Sequence, residues 1–331
     1  MTLTQLRTFL AIADTGSVHA AAAQLVVTPS AVSASMAVTQ RALQVRLVAR
    51  AGRGLRLTEA GEIYADYARR ILGLLDEAGN AAAAEADPAH GELRVGALTT
   101  AGEQILPHVL AGFRRLHPHV GVRLEVGNRD RVRGLLDRHE VDLMFGGRPE
   151  TDRDLTVLAI RPHELILVAR PGEAGPPAQQ DCRPWLARQT WLLREPGSGT
   201  REATETLLAD LDLDHPPRIL TVGSNAAIRE SVIAGLGVTL LSRDAVTREL
   251  ADGRLVEVQP PGTPLARDWH LMANPGRLNA TAASFVKHLL TTGEFRRPVQ
   301  SRMLTAASSI TGQRRTRVIS APVSPTTRTG T

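Results

Sequence analysis

Residues 17–36, Ser17-Val-His-Ala-Ala-Ala-Ala-Gln-Leu25-Val-Val-Thr28-Pro29-Ser30-Ala-Val-Ser33-Ala-Ser-Met36, constrain this chain more than any other stretch. Ser17 is a good N-cap, and Val18, Ala21, Ala22 and Leu25 give a short helix one apolar face. Val26 and Val27 interrupt the alanine run. Thr28 caps a second helix with Pro29 in its first turn, where a missing N–H costs nothing. Two short helices across a tight turn are the pattern of a helix-turn-helix, whose second helix enters a DNA major groove. Thr28, Ser30 and Ser33 place small hydroxyls on that helix's N-terminal turn, suited to phosphates or base edges. Taken alone, the same pattern also fits two amphipathic helices of an ordinary helical core, so the flanks decide.

Upstream, Leu3, Leu6, Phe9, Leu10 and Ile12 make a further amphipathic helix. Downstream, Arg50-Ala-Gly-Arg53-Gly54-Leu-Arg56-Leu57 reads as a two-strand wing with a Gly-rich tip, followed by Thr58 as an N-cap. Residues 1–58 contain six arginines (7, 41, 46, 50, 53 and 56) and a single acid, Asp14. So large an excess on so small a unit is an electrostatic footprint for phosphate.

Residues 1–61 resemble the winged helix-turn-helix of LysR-type transcriptional regulators. The match rests on Leu6-Arg7-Thr-Phe9, Gly16-Ser17-Val18, Ala21-Ala22, Leu25, Thr28, Ser30-Ala31-Val32-Ser33, Leu43, Leu47, Arg50 and Leu57-Thr58-Glu59-Ala60-Gly61. The chain departs from the family pattern at Val38-Thr39, at Gln44, where the family has glycine, and at Val48. The resemblance implies DNA contacts from Ser17, Thr28, Pro29, Ser30, Ser33, Arg50 and Arg53.

With 331 residues the chain can hold two or three units with real cores, and 43% hydrophobic and 22% charged residues are those of a globular protein. No apolar run reaches the length of a membrane span, and the N-terminus lacks a secretion signal, so a cytoplasmic protein with no membrane partner is expected. The lone cysteine, Cys182, excludes an intramolecular disulfide and a Cys-rich metal site.

Residues 59–87 lack proline and carry Tyr64, Tyr67, Ile71, Leu74, Ala78 and Ala81 at alternating spacings of three and four. That is the seam of a coiled coil and predicts a dimerising linker helix, with Tyr64, Tyr67, Ile71 and Leu74 at its centre. A core-facing helix is the other reading. Asp87-Pro88-Ala-His-Gly91 ends the helix.

From Glu92 strands alternate with helices, which argues a mostly parallel sheet covered on both faces. Leu155–Ile160 and Glu164–Ala169 read as two strands, and residues 99–113 as a turn and one helix. This half resembles the effector-binding domain of the same family, two α/β lobes similar to periplasmic binding proteins and joined by crossing strands near 158–163 and 265–270. The expected class is therefore a multidomain α/β protein. Its DNA-binding domain is 1–58, its linker helix 59–87 and its effector domain 92–295, with lobe I about 92–161 plus 268–295 and lobe II about 162–267. The Arg194-Glu-Pro-Gly197-Ser-Gly-Thr-Arg201 run looks most like members that control carbon fixation or sulfur assimilation.

Three strand-to-helix turns carry small polar residues: Thr99 and Thr100, Ser198 and Thr200, Ser224 and Asn225. Free N–H groups and the helix dipole favour an anion at such places, and ligands of open α/β folds sit beyond the carboxyl ends of strands. Each turn alone fits a plain N-cap. Together they predict a site for a small anionic metabolite of unknown identity, with Arg201 as charge partner and neither cofactor nor metal. No nucleophile, base and orienter come together, so an enzyme is not expected. The family implies duplex DNA, further copies of the chain (homodimer or homotetramer) and RNA polymerase as partners. Residues 296–331 hold seven arginines and no acid, a composition that predicts a disordered basic tail.

Overall fold

Each of the first helices carries its own start and stop signals. In the computed structural model, which describes residues 1–52, 54–87, 90–149, 154–173, 181–213 and 215–298, α1 (Leu3–Thr15) opens on a reciprocal cap. The Thr2 hydroxyl accepts from the Gln5 amide, and the Gln5 side chain accepts from the Thr2 amide. It ends on Gly16 at φ +63°, in the left-handed region where glycine meets no Cβ penalty. Ser17 caps α2 (Val18–Leu25) and Thr28 caps α3 (Pro29–Leu43), as expected, and the chain bends by 106° between the two.

Phe9, Ile12, Ala21, Ala22, Val32, Met36 and Leu47 close a core over these helices. The wing forms too: β1 (Val48–Ala51) and β2 (Gly54–Leu57) pair antiparallel, and the Leu55 amide donates to the Gly16 carbonyl at 2.8 Å. Thr58 starts α4 (Glu59–Ala86), which adds Ala65 and Ala68 to the same core. Gln44, where the family pattern has glycine, closes α3 at φ +55°, a conformation that costs a side chain about 1–2 kcal/mol.

Beyond Leu72 α4 leaves this core and seats on the next domain. An added Cβ at Gly73 would lie 1.8 Å from the Arg138 carbonyl oxygen, so backbone meets backbone there. One turn on, Glu77 Oε2 lies 2.5 Å from His139 Nδ1, and near the C-terminus Arg277 donates to Glu85 at 3.2 Å. The far side of the Arg138–His139 corner is held by Arg94, whose guanidinium donates to the His139 carbonyl and to Asp142. Burial alone would lower the pKa of the Arg94 guanidinium, but Asp142 outweighs it and holds it above its ordinary value.

Lobe I is built on β3 (Glu92–Leu98), flanked in parallel by β4 (Gly121–Gly127) and β5 (Leu143–Gly146). Helices α5 (Thr99–Gln104), α6 (Leu106–Leu116), α7 (Arg129–Asp137) and the closing α12 (Ala280–Thr291) belong to it. Residues 99–113 are thus two helices rather than one, broken at Ile105 and restarted with Pro107 in the first turn of α6. Phe113, Phe145 and Phe285 are fully buried in its core.

The sheet is mixed, not mostly parallel. Residues 155–169 do not form two strands but one, β6 (Thr156–Ala169), which pairs antiparallel with β11 (Leu265–Ala273) from Thr156–Ala273 to Leu165–Leu265. Beyond that pairing β6 continues into lobe II between β9 (Thr239–Ser242) and β10 (Val256–Val258), again antiparallel. β7 (Thr190–Leu193) and β8 (Arg218–Thr221) extend that lobe through a Trp191–Val238 bridge. Around them pack α8 (Arg183–Arg188), α9 (Gly199–Asp210), α10 (Asn225–Ile233) and α11 (Arg243–Ala251). The expected basic tail begins later than residue 296: Arg296 exchanges backbone hydrogen bonds with Ile160 and pairs with Asp268, whereas 299–331 lie outside the described residues. Among the described residues no single helix is long and apolar enough to cross a membrane.

Two glycines of α4 make opposite expectations. Gly73→Ala forces the helix off the Arg138 corner and should destabilise by about 1–3 kcal/mol. Gly79→Ala, where an added Cβ meets nothing within 4 Å, should stabilise by about 1 kcal/mol through helix propensity. Thermal melts followed by circular dichroism check both signs. The same melts should show Gln44→Gly raising stability by about 1 kcal/mol.

Candidate functional site

The N-terminal unit carries arginines without carboxylate partners and an exposed helix start. Thr28, Pro29, Ser30 and Ser33 are all exposed on the first turns of α3. The Thr28 hydroxyl accepts from the Ala31 amide at 3.2 Å and lies 3.0 Å from the Ser30 hydroxyl. Ser17 is half-buried and caps α2 through the Ala20 amide. Arg7, Arg41, Arg46, Arg50 and Arg56 are exposed, and none has a carboxylate partner among the described residues. Arg53, at the wing tip, lies outside the described residues.

The seam expected on α4 is exposed but shifted. Tyr64 turns inward instead: it is half-buried, with its ring 5.0 Å from that of Phe9 in an edge-on contact. Tyr67 (57% exposed), Ile71 (49%) and Leu74 (52%) face outward, and Ile63 (58%) takes the place of Tyr64. The helix turns 3.6 residues per turn and packs Ala65 and Ala68 on the α1 side, which carries Tyr64 with them.

Between the lobes lies a cleft of about 480 Å³. Its walls are the carboxyl ends of strands: Thr99 and Thr100 after β3, Asn128 and Arg129 after β4, Arg148 after β5, Arg194 after β7, and Ser198 and Thr200 at the start of α9. The crossing strands form its floor with His163, Arg267, Trp269 and His270. Four arginines against one acid, Asp268, make it strongly electropositive. Neither Arg148 nor Arg267 has an ion-pair partner among the described residues. Burial holds the His270 imidazole below its ordinary pKa, with Arg148 adding to the effect.

Two contacts cross from lobe to lobe. Asn225 Nδ2 donates to Thr100 Oγ1 at 2.9 Å, and Arg129 pairs with Glu202 at 3.0 Å. Arg194, itself bidentate to Glu195, donates to Asn225 Oδ1 and extends the first contact into a relay. The Asp244 carboxyl would be raised by burial, but His163 and Arg161 hold it at about 2, which fixes α11 to the crossing strand.

Of the residues expected to hold an anion, Thr99, Thr100, Ser198 and Thr200 line the cleft. Asn225 reaches it through Thr100. Arg201 does not line it: its guanidinium is engaged by Glu205 and the Arg194 carbonyl. Ser224 does not either, being an exposed cap on the Ala227 amide. The residues missed are Arg129, Arg148, Arg194, Arg267 and the two histidines. His163, Arg267 and His270 lie on the segments expected to cross between the lobes, and that was the available signal.

Comparison with known proteins agrees with this division. Residues 3–62 match the bacterial regulatory helix-turn-helix protein, lysR family, and residues 86–294 match the LysR substrate binding domain. The chain is 35% identical over 297 residues to the HTH-type transcriptional regulator CfxR of Cupriavidus necator, covering 89% of this chain and 93% of that protein. It is 34% identical over 291 residues to the RuBisCO operon transcriptional regulator of Acidithiobacillus ferrooxidans, covering 87% and 93%. The regulatory domain of Synechocystis CcmR, solved in complex with 2-PG, superposes with a TM-score of 0.54 at 28% identity, covering 61% of this chain and 96% of that one. With the winged helix-turn-helix, the linker helix and the two-lobed domain in one chain, the protein belongs to the LysR family of DNA-binding transcriptional regulators.

Proposed function

We propose that this regulator responds to a small phosphorylated carboxylate bound between its lobes, and that it controls genes of carbon fixation from the cytoplasm. The cleft itself carries the first part. A monoanion needs one cationic anchor, whereas this cleft keeps Arg148 and Arg267 free while Thr100, Ser198 and Thr200 offer hydroxyls at helix starts. The 2-PG held by the CcmR domain is a compound of this class, and the RuBisCO operon regulator supports the second part. A ligand reaching from the lobe I turns to α9 changes the balance of the Thr100–Asn225 and Arg129–Glu202 contacts, and so favours one lobe arrangement over another.

DNA is gripped by the exposed α3 face and the wing. Thr28, Pro29, Ser30 and Ser33 lie against the major groove, Ser17 at its edge, and Arg50 and Arg53 take the backbone. Tyr67, Ile71 and Leu74, with Ile63 in place of Tyr64, pair with a second copy, which sets two half-sites side by side in a dimer or tetramer. RNA polymerase is the partner at the promoter.

Calorimetric titration should show 2-phosphoglycolate binding and glycolate, which lacks the phosphate, failing to bind. Arg148→Gln should weaken 2-phosphoglycolate about tenfold to a hundredfold, the loss of one charge-assisted hydrogen bond, while ligand-free DNA binding stays within about twofold. Unchanged affinity in Arg148→Gln would remove the cleft from the proposal. For the seam, Ile71→Glu with Leu74→Glu should give monomers in analytical ultracentrifugation and weaken binding to duplex DNA by more than tenfold, since one half-site is lost. A dimer that survives both charges would place the interface elsewhere.

A further inference from the structure

The face that a helix-turn-helix lays on DNA has a narrow chemistry in this chain. From Leu25 to Thr39 there is no arginine, lysine, asparagine or glutamine. Those are the side chains that read guanine or adenine through paired hydrogen bonds. Gln40, the next along α3, is committed inward, its Oε1 accepting from the Leu47 amide at 2.8 Å. What the turn and the first two turns of α3 present instead is Val26, Thr28, Pro29, Ser30, Ser33 and Ala34, all exposed. Two of the three hydroxyls are already engaged with each other, Thr28 with Ser30, so Ser33 alone is without a partner among the described residues.

Val26 adds an independent observation. It sits at φ +56°, a left-handed conformation that a β-branched residue adopts at a cost, and its side chain is 90% exposed. Asparagine or glycine would hold this turn with less strain. The side chain buries nothing, so packing does not account for a valine here. An apolar group held under strain at the tip of a DNA-reading element points to a contact made outside the protein.

Only one base offers an apolar group in the major groove, the C5-methyl of thymine. We propose that this regulator reads its operator chiefly through thymine methyl groups, contacted by Val26, Pro29 and Ala34, with Ser33 as the single direct hydrogen-bonding reader. The surrounding unpaired arginines then supply affinity without sequence information, since phosphate contacts position the protein but do not specify bases. Sequence preference therefore resides in small contacts of modest individual size, summed over the half-sites.

The test uses the full-length protein and a duplex that it selects from a random library. Each thymine of that duplex is replaced in turn by deoxyuridine, which removes only the methyl group. Each purine is replaced by its 7-deaza analogue, which removes only the N7 acceptor. Loss of one methyl contact should weaken binding about threefold to fivefold at one or more thymines of each half-site, and 7-deaza substitution should change it less than twofold at every purine but the one that Ser33 reads. Val26→Asn and Pro29→Ser should each shrink a deoxyuridine penalty to less than twofold, and Val26→Asn should not lower the melting temperature. Deoxyuridine without effect at every thymine, or a tenfold loss from a 7-deaza purine, overturns methyl readout. A full deoxyuridine penalty persisting in both variants overturns the assignment to these residues. The deoxyuridine and 7-deaza results are read on the wild-type protein, so methyl readout stands or falls without any variant folding.

Discussion

The antiparallel pairing of β6 with β11 is the constraint from which the rest of the effector domain follows. One continuous strand, Thr156–Ala169, belongs to the lobe I sheet at its start and to lobe II at its end. Two lobes that share a strand cannot separate, and can only tilt about the ribbon that joins them. The carboxyl ends of β3, β4, β5 and β7 therefore converge on one side of that ribbon, where His163 and residues 266–270 form the floor. The Arg161–Asp244 pair fastens α11 to the same ribbon, and Arg296 closes its other edge against Ile160. A ligand in this cleft touches both lobes and their hinge at once, so its binding energy is coupled to their relative arrangement.

The helix α4 joins the DNA-binding unit to this domain. A helix of 28 residues is about 42 Å long and behaves as a single rigid element. Its periodicity sorts three functions by direction and depth. Gly61, Ala65 and Ala68 are small and let its first turns press against the DNA-binding core. Ile63, Tyr67, Ile71 and Leu74 leave an apolar stripe to the outside. Gly73, Glu77 and Glu85 seat its later turns on lobe I, at a corner that Arg94 braces from behind.

Charge is deployed in two contrasting ways. In the DNA-binding unit Arg7, Arg41, Arg46, Arg50 and Arg56 are exposed and, among the described residues, free of carboxylates, which suits a partner whose charge is spread along a backbone. In the cleft Arg129 and Arg194 are held by Glu202 and Glu195 while Arg148 and Arg267 stay open. Of the two pairs, Arg129–Glu202 crosses from lobe I to lobe II, whereas Arg194–Glu195 lies within lobe II. The open arginines leave a ligand something to pair with.

The sequence by itself determined what depends on neighbouring residues. Ser17, Thr28 and Thr58 cap their helices because a hydroxyl reaches an amide three residues on, whatever the rest of the chain does. The same locality made the helix-turn-helix, the wing and the linker helix legible, and it placed Thr99, Thr100, Ser198 and Thr200 at helix starts. Distance in the chain is where legibility ended. That 155–169 is one strand, and that its partner runs against it, is a property of long-range pairing, which no local periodicity records. Whether Tyr64 or Ile63 joins the outer stripe was decided by which side of α4 the Phe9 core occupies. Arg201 and Arg148 are both plausible anion partners by composition. The fold turned Arg201 to Glu205 and the Arg194 carbonyl and left Arg148 at the cleft, because a side chain's partners are set by what the tertiary structure brings within hydrogen-bonding reach.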